Sequence, residues 1–424
     1  MRTSLVVGIV CGLCVPAVQA NEFNITQIAD ETLNNRAPTV GETGIVAWYA
    51  LHATDFGEAY TDVHVFQNGK RQTISQQGEG FLSADVHPHV HSNRIVWSST
   101  LPQPSRKDYT WELREASLKP DDPEVIDADY LAFSEHDGAG GSKGKQWFEG
   151  NTNNAGSDSR RSPRGISGEN EILAWDGGES ESILTRDTRN DLAPAAWGDV
   201  TVWQKAKGWP FGWEIMMLRG DARSQLTTNF YYDMAPQVDG DYVVWYGWDG
   251  QDFEIYRYSL SENRTVQLTT NLYDDVAPQV HNGTIAWEAY PAVEADIFVW
   301  RDGRIEKISS NIEDDVNPRV WNGQVVWQGF DGEDFEIYLF DGEKTIRITD
   351  NKYDDMKPDI HDGFVCWMGY EGNWDSEIFV QTDPGAEPTQ LTDNEYDDRD
   401  PKTAGRRVVW QALDDDKSLI YLAE

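Results

Sequence analysis

The chain is poor in cysteine, poor in positive charge and, beyond its first twenty residues, without a long apolar run. Three cysteines occur in 424 residues, and two of them, Cys11 and Cys14, fall in the opening segment. Residues 1–20 read as a secretory signal. Arg2 is the basic start, Leu5 to Val15 the apolar stretch, and Ala17-Val18-Gln19-Ala20 a small-residue cleavage site before Asn21. Neither early cysteine follows a small residue, as a lipoprotein site needs, so the expectation is soluble export to the periplasm or beyond. A chain cleaved there keeps Cys366 alone, which excludes an internal disulfide and leaves stability to the core. Cys366 occupies a packing position where sister segments carry Val326, Ala286 or Val244, so a buried, inert thiol is expected rather than a nucleophile. No later segment reaches the ~20 apolar residues of a membrane span, and membrane insertion is not expected.

Lysine and arginine number 35 against 73 Asp and Glu, a formal net charge of −38. That balance argues against nucleic acid and anionic membranes and favours cations, basic partners or a salty medium. Phosphate-cradling glycine loops, a Gly-x-Ser-x-Gly elbow, His-Glu-x-x-His and zinc-spaced cysteines are all missing. Aromatic residues are plentiful: 18 Trp, 17 Tyr and 15 Phe can pack a sizeable core.

Tryptophan also recurs in register. Trp203, Trp245, Trp287, Trp327, Trp367 and Trp410 follow one another at intervals of 42, 42, 40, 40 and 43 residues. Such a period means one supersecondary unit copied many times. In residues 311–349, a polar turn leads to a short strand at Pro318-Arg319-Val320, and Asn322-Gly323 forms a hairpin turn into Gln324–Trp327. A loop over 329–334 precedes a third strand, Phe335–Phe340, and Asp341-Gly342 turns the chain into a fourth at 344–349. Four antiparallel strands per ~40 residues make the blade of a closed all-β propeller. Runs such as Val325-Val326-Trp327 fit blades covered on both faces.

Nine units are counted. Pro38 with Trp48 and Pro88 with Trp97 head two longer ones. A degenerate third unit is read from Leu131–Gly138, Trp147 and a resuming strand at Glu171–Gly177; if that stretch is an insertion, eight remain. Asn24–Asp30 resembles a fourth strand and the chain stops in a third, so the N-terminal strand is expected to complete the last blade and close one domain over 21–424.

These motifs resemble the TolB-like (PD40-type) propeller repeats of secreted and surface proteins. The likeness lies in the Leu-Thr-x-Asn turn at 226–229, 268–271 and 391–394, the proline with Gly-x-Val-Val-Trp, and Glu-Ile-Tyr at 254–256 and 336–338. It implies architecture across nearly the whole mature chain; such propellers include scaffolds, binding proteins and some enzymes. TolB has six blades and an added N-terminal α/β domain, so a role in the Tol envelope system is not carried over.

The position three before the repeat proline is Asp85, Asp191, Asp233, Asp275, Asp315, Asp355 and Asp398, doubled by Asp274, Asp314, Asp354 and Asp397. The second-to-third-strand loops add Asp249, Asp252, Asp331, Asp334 and Asp375. Both sets are expected in turns on one face. Local turn hydrogen bonding is one reading. Calcium bound by Asp274, Asp275, Asp314, Asp315, Asp354, Asp355, Asp331 and Asp334 is the other.

Residues that break the repeat are the better functional candidates. His87, His89 and His91 alternate onto one strand face, but His281 and His361 stand at the His91 position in ordinary units, which leaves His87 and His89 distinctive. An irregular insertion at about 138–164 carries Lys143, Lys145, Arg160, Arg161 and Arg164 in an acidic chain, either a mobile loop or a flap for an acidic ligand. Trp209, Trp213, Tyr231, Tyr232 and Tyr290 suit stacking on sugar rings or on a partner, or packing between blades. The expectation is a monomeric, non-enzymatic exported propeller that binds a protein or an acidic glycan, with calcium as its only candidate cofactor. The alternative is a polysaccharide lyase using His87 and His89, with Tyr130 as acid and Arg164 as clamp. An enzyme requires these groups to converge in one cleft.

Overall fold

The computed structural model describes residues 23–29, 33–53, 59–75, 85–102, 168–178, 181–187, 189–207, 212–309, 313–370, 375–414 and 417–424. The signal segment, Tyr130, Arg160, Arg161, Arg164 and Trp209 lie outside them, as does the side chain of His87. All regular structure among the described residues is β-strand. Six separate four-stranded antiparallel sheets are joined by one eight-stranded sheet made from the first and last repeats, so eight four-stranded units are described.

The sixth unit shows how the sequence writes each one. Its strands are Asp315–Trp321, Gln324–Phe330, Phe335–Phe340 and Thr345–Arg347. Asn322 (φ 47°) and Gly323 (φ 87°) form the two-residue hairpin, whose doubly positive φ matches the right-handed strand twist. Before the repeat proline each first strand carries a bulge, and the bulged residue is left-handed although it is not glycine: Ala235, Ala277, Asn317, Lys357 and Asp400 have φ between 48° and 58°. The bulge turns a backbone N–H towards the preceding unit. There Gln204 accepts from Ala235 (2.9 Å), Glu288 from Asn317 (2.8 Å) and Gln328 from Lys357 (2.8 Å). These acceptors directly follow the repeat tryptophan, so the strain is offset by a bond that joins neighbours.

The first strand of every unit touches first strands on both sides. Asn34–Val40 of unit one meets Asp85–His91 of unit two and Asp397–Ala404 of unit eight. The core lies between the sheets, as in the cluster of Val244, Tyr246 and Ile255 with Val276, Ile285 and Trp287. All eight repeat tryptophans are fully buried. Most stack on an aromatic of the third strand, for example Trp245 on Tyr256 at 5.8 Å and Trp410 on Tyr421 at 5.7 Å. Cys366 is buried with them, a free thiol whose pKa burial pushes up.

Unit two differs from the expectation in one strand. Gly168–Trp175, expected as the third strand of a separate repeat, pairs along Arg94–Pro102 and is the third strand of the second unit. Ile95, Trp97 and Leu173 share one core cluster, which a separate repeat could not provide. Residues 103–167, with Leu131–Gly138 and Trp147, therefore interrupt unit two and lie outside the described residues.

At the other end, Ile25–Gln27 pairs antiparallel with Tyr421–Ala423 as the fourth strand of unit eight. Asn24 and Glu424 exchange backbone hydrogen bonds of 2.9 and 3.3 Å. Asn35 adds a 2.9 Å bond to the Ser418 carbonyl. Deleting residues 22–30 strips this edge. The deletion is expected to lower the thermal midpoint and, because an unpaired strand recruits other chains, to cause concentration-dependent association in sedimentation.

Candidate functional site

The repeated aspartate is neither exposed nor in a turn. Asp191, Asp233, Asp275, Asp315, Asp355 and Asp398 are buried and lie in first strands. Each Oδ1 accepts the indole N–H of its own unit's tryptophan at 2.7–3.0 Å. In unit one Asn35 takes the same place against Trp48 at 2.9 Å. A buried indole N–H without an acceptor would cost a desolvation penalty, which is why the acid is drawn inside. Oδ2 accepts the amide of the asparagine four residues earlier, as Asn229 donates to Asp233 (2.6 Å) and Asn394 to Asp398 (2.8 Å). The threonine of the Leu-Thr-x-Asn turn accepts the third-strand N–H, as Thr349 does from Ile337 at 2.8 Å. A Cβ on Gly247, Gly329 or Gly369 would collide with the carboxylate of Asp233, Asp315 or Asp355. Turn, glycine, acid and tryptophan thus form one unit of chemistry. The expected rim of these carboxylates is replaced by an internal one.

Against most of these acids stands a third-strand Glu of the preceding unit, also buried: Glu171, Glu214, Glu254, Glu336 and Glu377; in unit five that place is taken by Asp296. Burial, the largest cause, raises Asp275 to about 6 and both Asp355 and Asp398 to about 7. Burial with the nearby Asp275 and Asp252 carboxylates raises Glu254 to about 8. Two units hold the Glu with a cation: Lys207 pairs with Glu214, and Arg347 with Glu336 at 2.6 Å.

The preceding aspartates are backbone caps. Asp274, Asp314 and Asp354 accept the N–H of Phe253, Ala295 and Phe335 at 2.9–3.0 Å, each the opening of a third strand in the unit before. Every residue of the three doubled pairs put forward for calcium therefore meets an N–H donor of the protein itself. The loop pair differs. Asp331, Asp334 and Glu336 gather their oxygens within 4.8 Å, and Arg347 reaches into them, 2.8 Å from Asp331. The equivalent group in unit four is Asp249, Asp252 and Glu254, where Gln267 stands opposite Tyr256 as Arg347 does opposite Tyr338. There neither Glu254 oxygen meets a donor in hydrogen-bond geometry, although the Thr269 hydroxyl lies beside both Glu254 and Asp275.

His89 is half-buried. Its Nδ1 accepts the Ala196 N–H at 3.3 Å, and burial, then His91, lowers its pKa to about 4. It is a packed, neutral imidazole. The position judged ordinary proves more social: Trp321 is stacked between His281 (3.8 Å) and His361 (3.6 Å), at the first-to-second-strand end of neighbouring units. Tyr290 is partly buried between units and donates to Glu288 at 3.2 Å. Trp213 opens a third strand and is partly buried, while Tyr231 and Tyr232 are exposed.

One group escaped sequence reasoning. In unit one, Asp62-Val63-His64 replaces Glu-Ile-Tyr, and His52 stands four residues after the tryptophan, where Asp249 and Asp331 stand in their units. His52, Asp62 and His64 bring three donor atoms within 4.8 Å of one another. The signal was there: a histidine at a position that is aromatic in sister units.

No protein-family model and no curated protein sequence matches the chain. Solved structures do. The computationally designed protein Ika8 is 12% identical, at a TM-score of 0.54 over 93% of this chain and 98% of that one. The β-propeller domain of the Trilobed protease from Pyrococcus furiosus is 10% identical, at a TM-score of 0.50 over 81% and 93%. Pyrococcus horikoshii acylaminoacyl peptidase is 11% identical at a TM-score of 0.50; 91% of this chain is covered, but only 58% of the peptidase's length. The fold is a β-propeller, as the repeats suggested.

The raised acids make stability depend on pH with a definite sign. Carboxyls whose folded pKa exceeds the unfolded value near 4 bind more protons when folded, so their stabilisation is full below ~4 and declines as pH rises through 6–7. Denaturant midpoints should therefore fall from pH 5 to pH 8. Asp355→Asn should remove on the order of 1 kcal/mol or more of that difference.

Proposed function

We propose that the chain is an exported, non-enzymatic β-propeller of eight blades closed into a ring, and that it docks a protein partner on its loop-bearing face. The observation that carries the reading is a band of exposed apolar side chains in units three to five. Phe230, Tyr231 and Tyr232 lie in the connection into unit four, Leu272 in the connection into unit five, and Val293 in that unit's second-to-third-strand loop. Phe230 and Leu272 are 80% and 79% exposed, at equivalent places in adjacent repeats. Strand alternation puts all these connections on one face, where residues 103–167 also depart from unit two. Apolar side chains beside acidic loops suit a partner with an apolar centre and a basic periphery. The first-strand contacts from unit one to units two and eight support a closed ring. A half-buried, neutral His89 whose Nδ1 is taken by the Ala196 N–H supports a binding role over catalysis.

A photo-crosslinking amino acid at Phe230 or Leu272, in the chain expressed in its native cells, is expected to trap one discrete protein. The same substitution at Asn263, in a turn on the opposite face, should trap none. Equal trapping at all three sites, or none at any, would overturn the reading. Saturable binding of an acidic oligosaccharide would favour the glycan, and its conversion to an unsaturated product the lyase.

Calcium stabilisation is assigned to Asp249, Asp252 and Glu254, because Glu254 is fully buried without a cation or a well-placed donor. Calcium should raise the thermal midpoint of the parent chain by a few degrees and leave that of Glu254→Gln unmoved.

A further inference from the structure

We propose that His52, Asp62 and His64 form a binding site for a divalent first-row transition metal ion, separate from the acidic calcium group of unit four. The strands place the ligands. His52 ends the second strand of unit one, Val46–Ala53, while Asp62 and His64 lie two residues apart, hence on one face, of the third, Ala59–Gln67. Ala50 pairs with Asp62 and Trp48 with His64, which sets His52 diagonally beside the carboxylate. His52 Nε2 is 3.3 Å from Asp62 Oδ2. All three donor atoms fall within 4.8 Å of one another. Ligands held at about 2.0–2.2 Å from a shared ion stand at most about 4.4 Å apart, so slight side-chain rotation closes the site.

The surroundings hold the ligands in place. His64 Nδ1 is 3.1 Å from the Thr73 hydroxyl, a contact that orients the ring. Ser75 donates to Asp62 Oδ1 at 3.3 Å and accepts the Val63 N–H at 2.8 Å, so Oδ2 turns to His52. Trp48 stacks on the His64 ring at 5.6 Å. His52 and Asp62 side chains are 20% and 16% exposed, which gives an ion a way in and leaves room for a water ligand.

The repeat supplies its own control. Tyr256, Phe298, Tyr338, Phe379 and Tyr421 stack on their tryptophans where His64 does in unit one. An aromatic ring suffices for packing there, and the imidazole adds a ligand. Two imidazoles with one carboxylate suit zinc, cobalt, nickel or copper, whereas an all-oxygen group suits calcium.

The test uses the mature chain, stripped with EDTA and titrated with Co²⁺ in excess Ca²⁺, which occupies the acidic surface. One equivalent should bind, with a visible ligand-field spectrum that Zn²⁺ abolishes. His64→Tyr installs the residue of units four and six, retains the tryptophan stack and should fold, as near-UV circular dichroism will check. It and His52→Gln should each weaken Co²⁺ binding at least ~100-fold, more than loss of an outer-shell partner does. Absence of a saturable equivalent in the parent, or an unchanged spectrum and affinity in folded His64→Tyr, would overturn the assignment.

Discussion

The indole N–H of each repeat tryptophan, held by a buried aspartate, is the bond around which the units are built. A tryptophan brings the area needed to fill the space between twisted sheets, but its N–H cannot be left without an acceptor. An aspartate supplies one, and then needs donors for its second oxygen. The asparagine four residues earlier provides these, and so fixes the turn by which the chain enters the sheet. A buried polar group left without its partner costs about 1–3 kcal/mol, and a half-satisfied network is worse than none. This is why tryptophan, aspartate and asparagine travel together along the chain.

That solution has an electrostatic consequence. Most of the buried aspartates face a buried glutamate, and the surface around them is acidic too, so proton uptake, Lys207, Arg347 or an ion must offset the repulsion. The units resolve it differently. The cross-unit caps, with one aspartate of each doubled pair serving the unit before and the other its own tryptophan, make the charge problem communal.

Periodicity, the Asn322-Gly323 hairpin and the closing N-terminal strand were legible because each rests on local chemistry: apolar alternation, positive φ and a missing fourth strand. The aspartates were misplaced because an Asp-rich stretch before a proline reads as a turn. Only the tryptophan twelve residues later, brought alongside by the hairpin, reveals the acid as an internal acceptor. The third strand of unit two was given to the wrong unit because Glu171–Trp175 matches a third strand wherever it pairs, and the sequence does not say across how long an insertion a strand can return. His91, His281 and His361 looked ordinary for the opposite reason. Recurrence suggested a structural role, but His281 and His361 meet on a common ring, Trp321, in the unit between them.

The repeat therefore works as a set of equivalent sockets in one frame. At the end of the second strand, beside the third-strand acid, unit six places Asp331 with an arginine, unit four Asp249 without one, and unit one His52 with a histidine in the aromatic position. The backbone is common to all three, held by tryptophan and its acceptor, so a change at two or three side chains converts a neutralised cluster into an open acidic one or a nitrogen-rich one. Because the frame does not depend on what fills the socket, chemistry can vary there without loss of the fold. Where the frame itself demands a residue, as at the buried tryptophan and its acceptor, no such freedom exists. Function in this chain is thus to be sought where equivalent positions disagree.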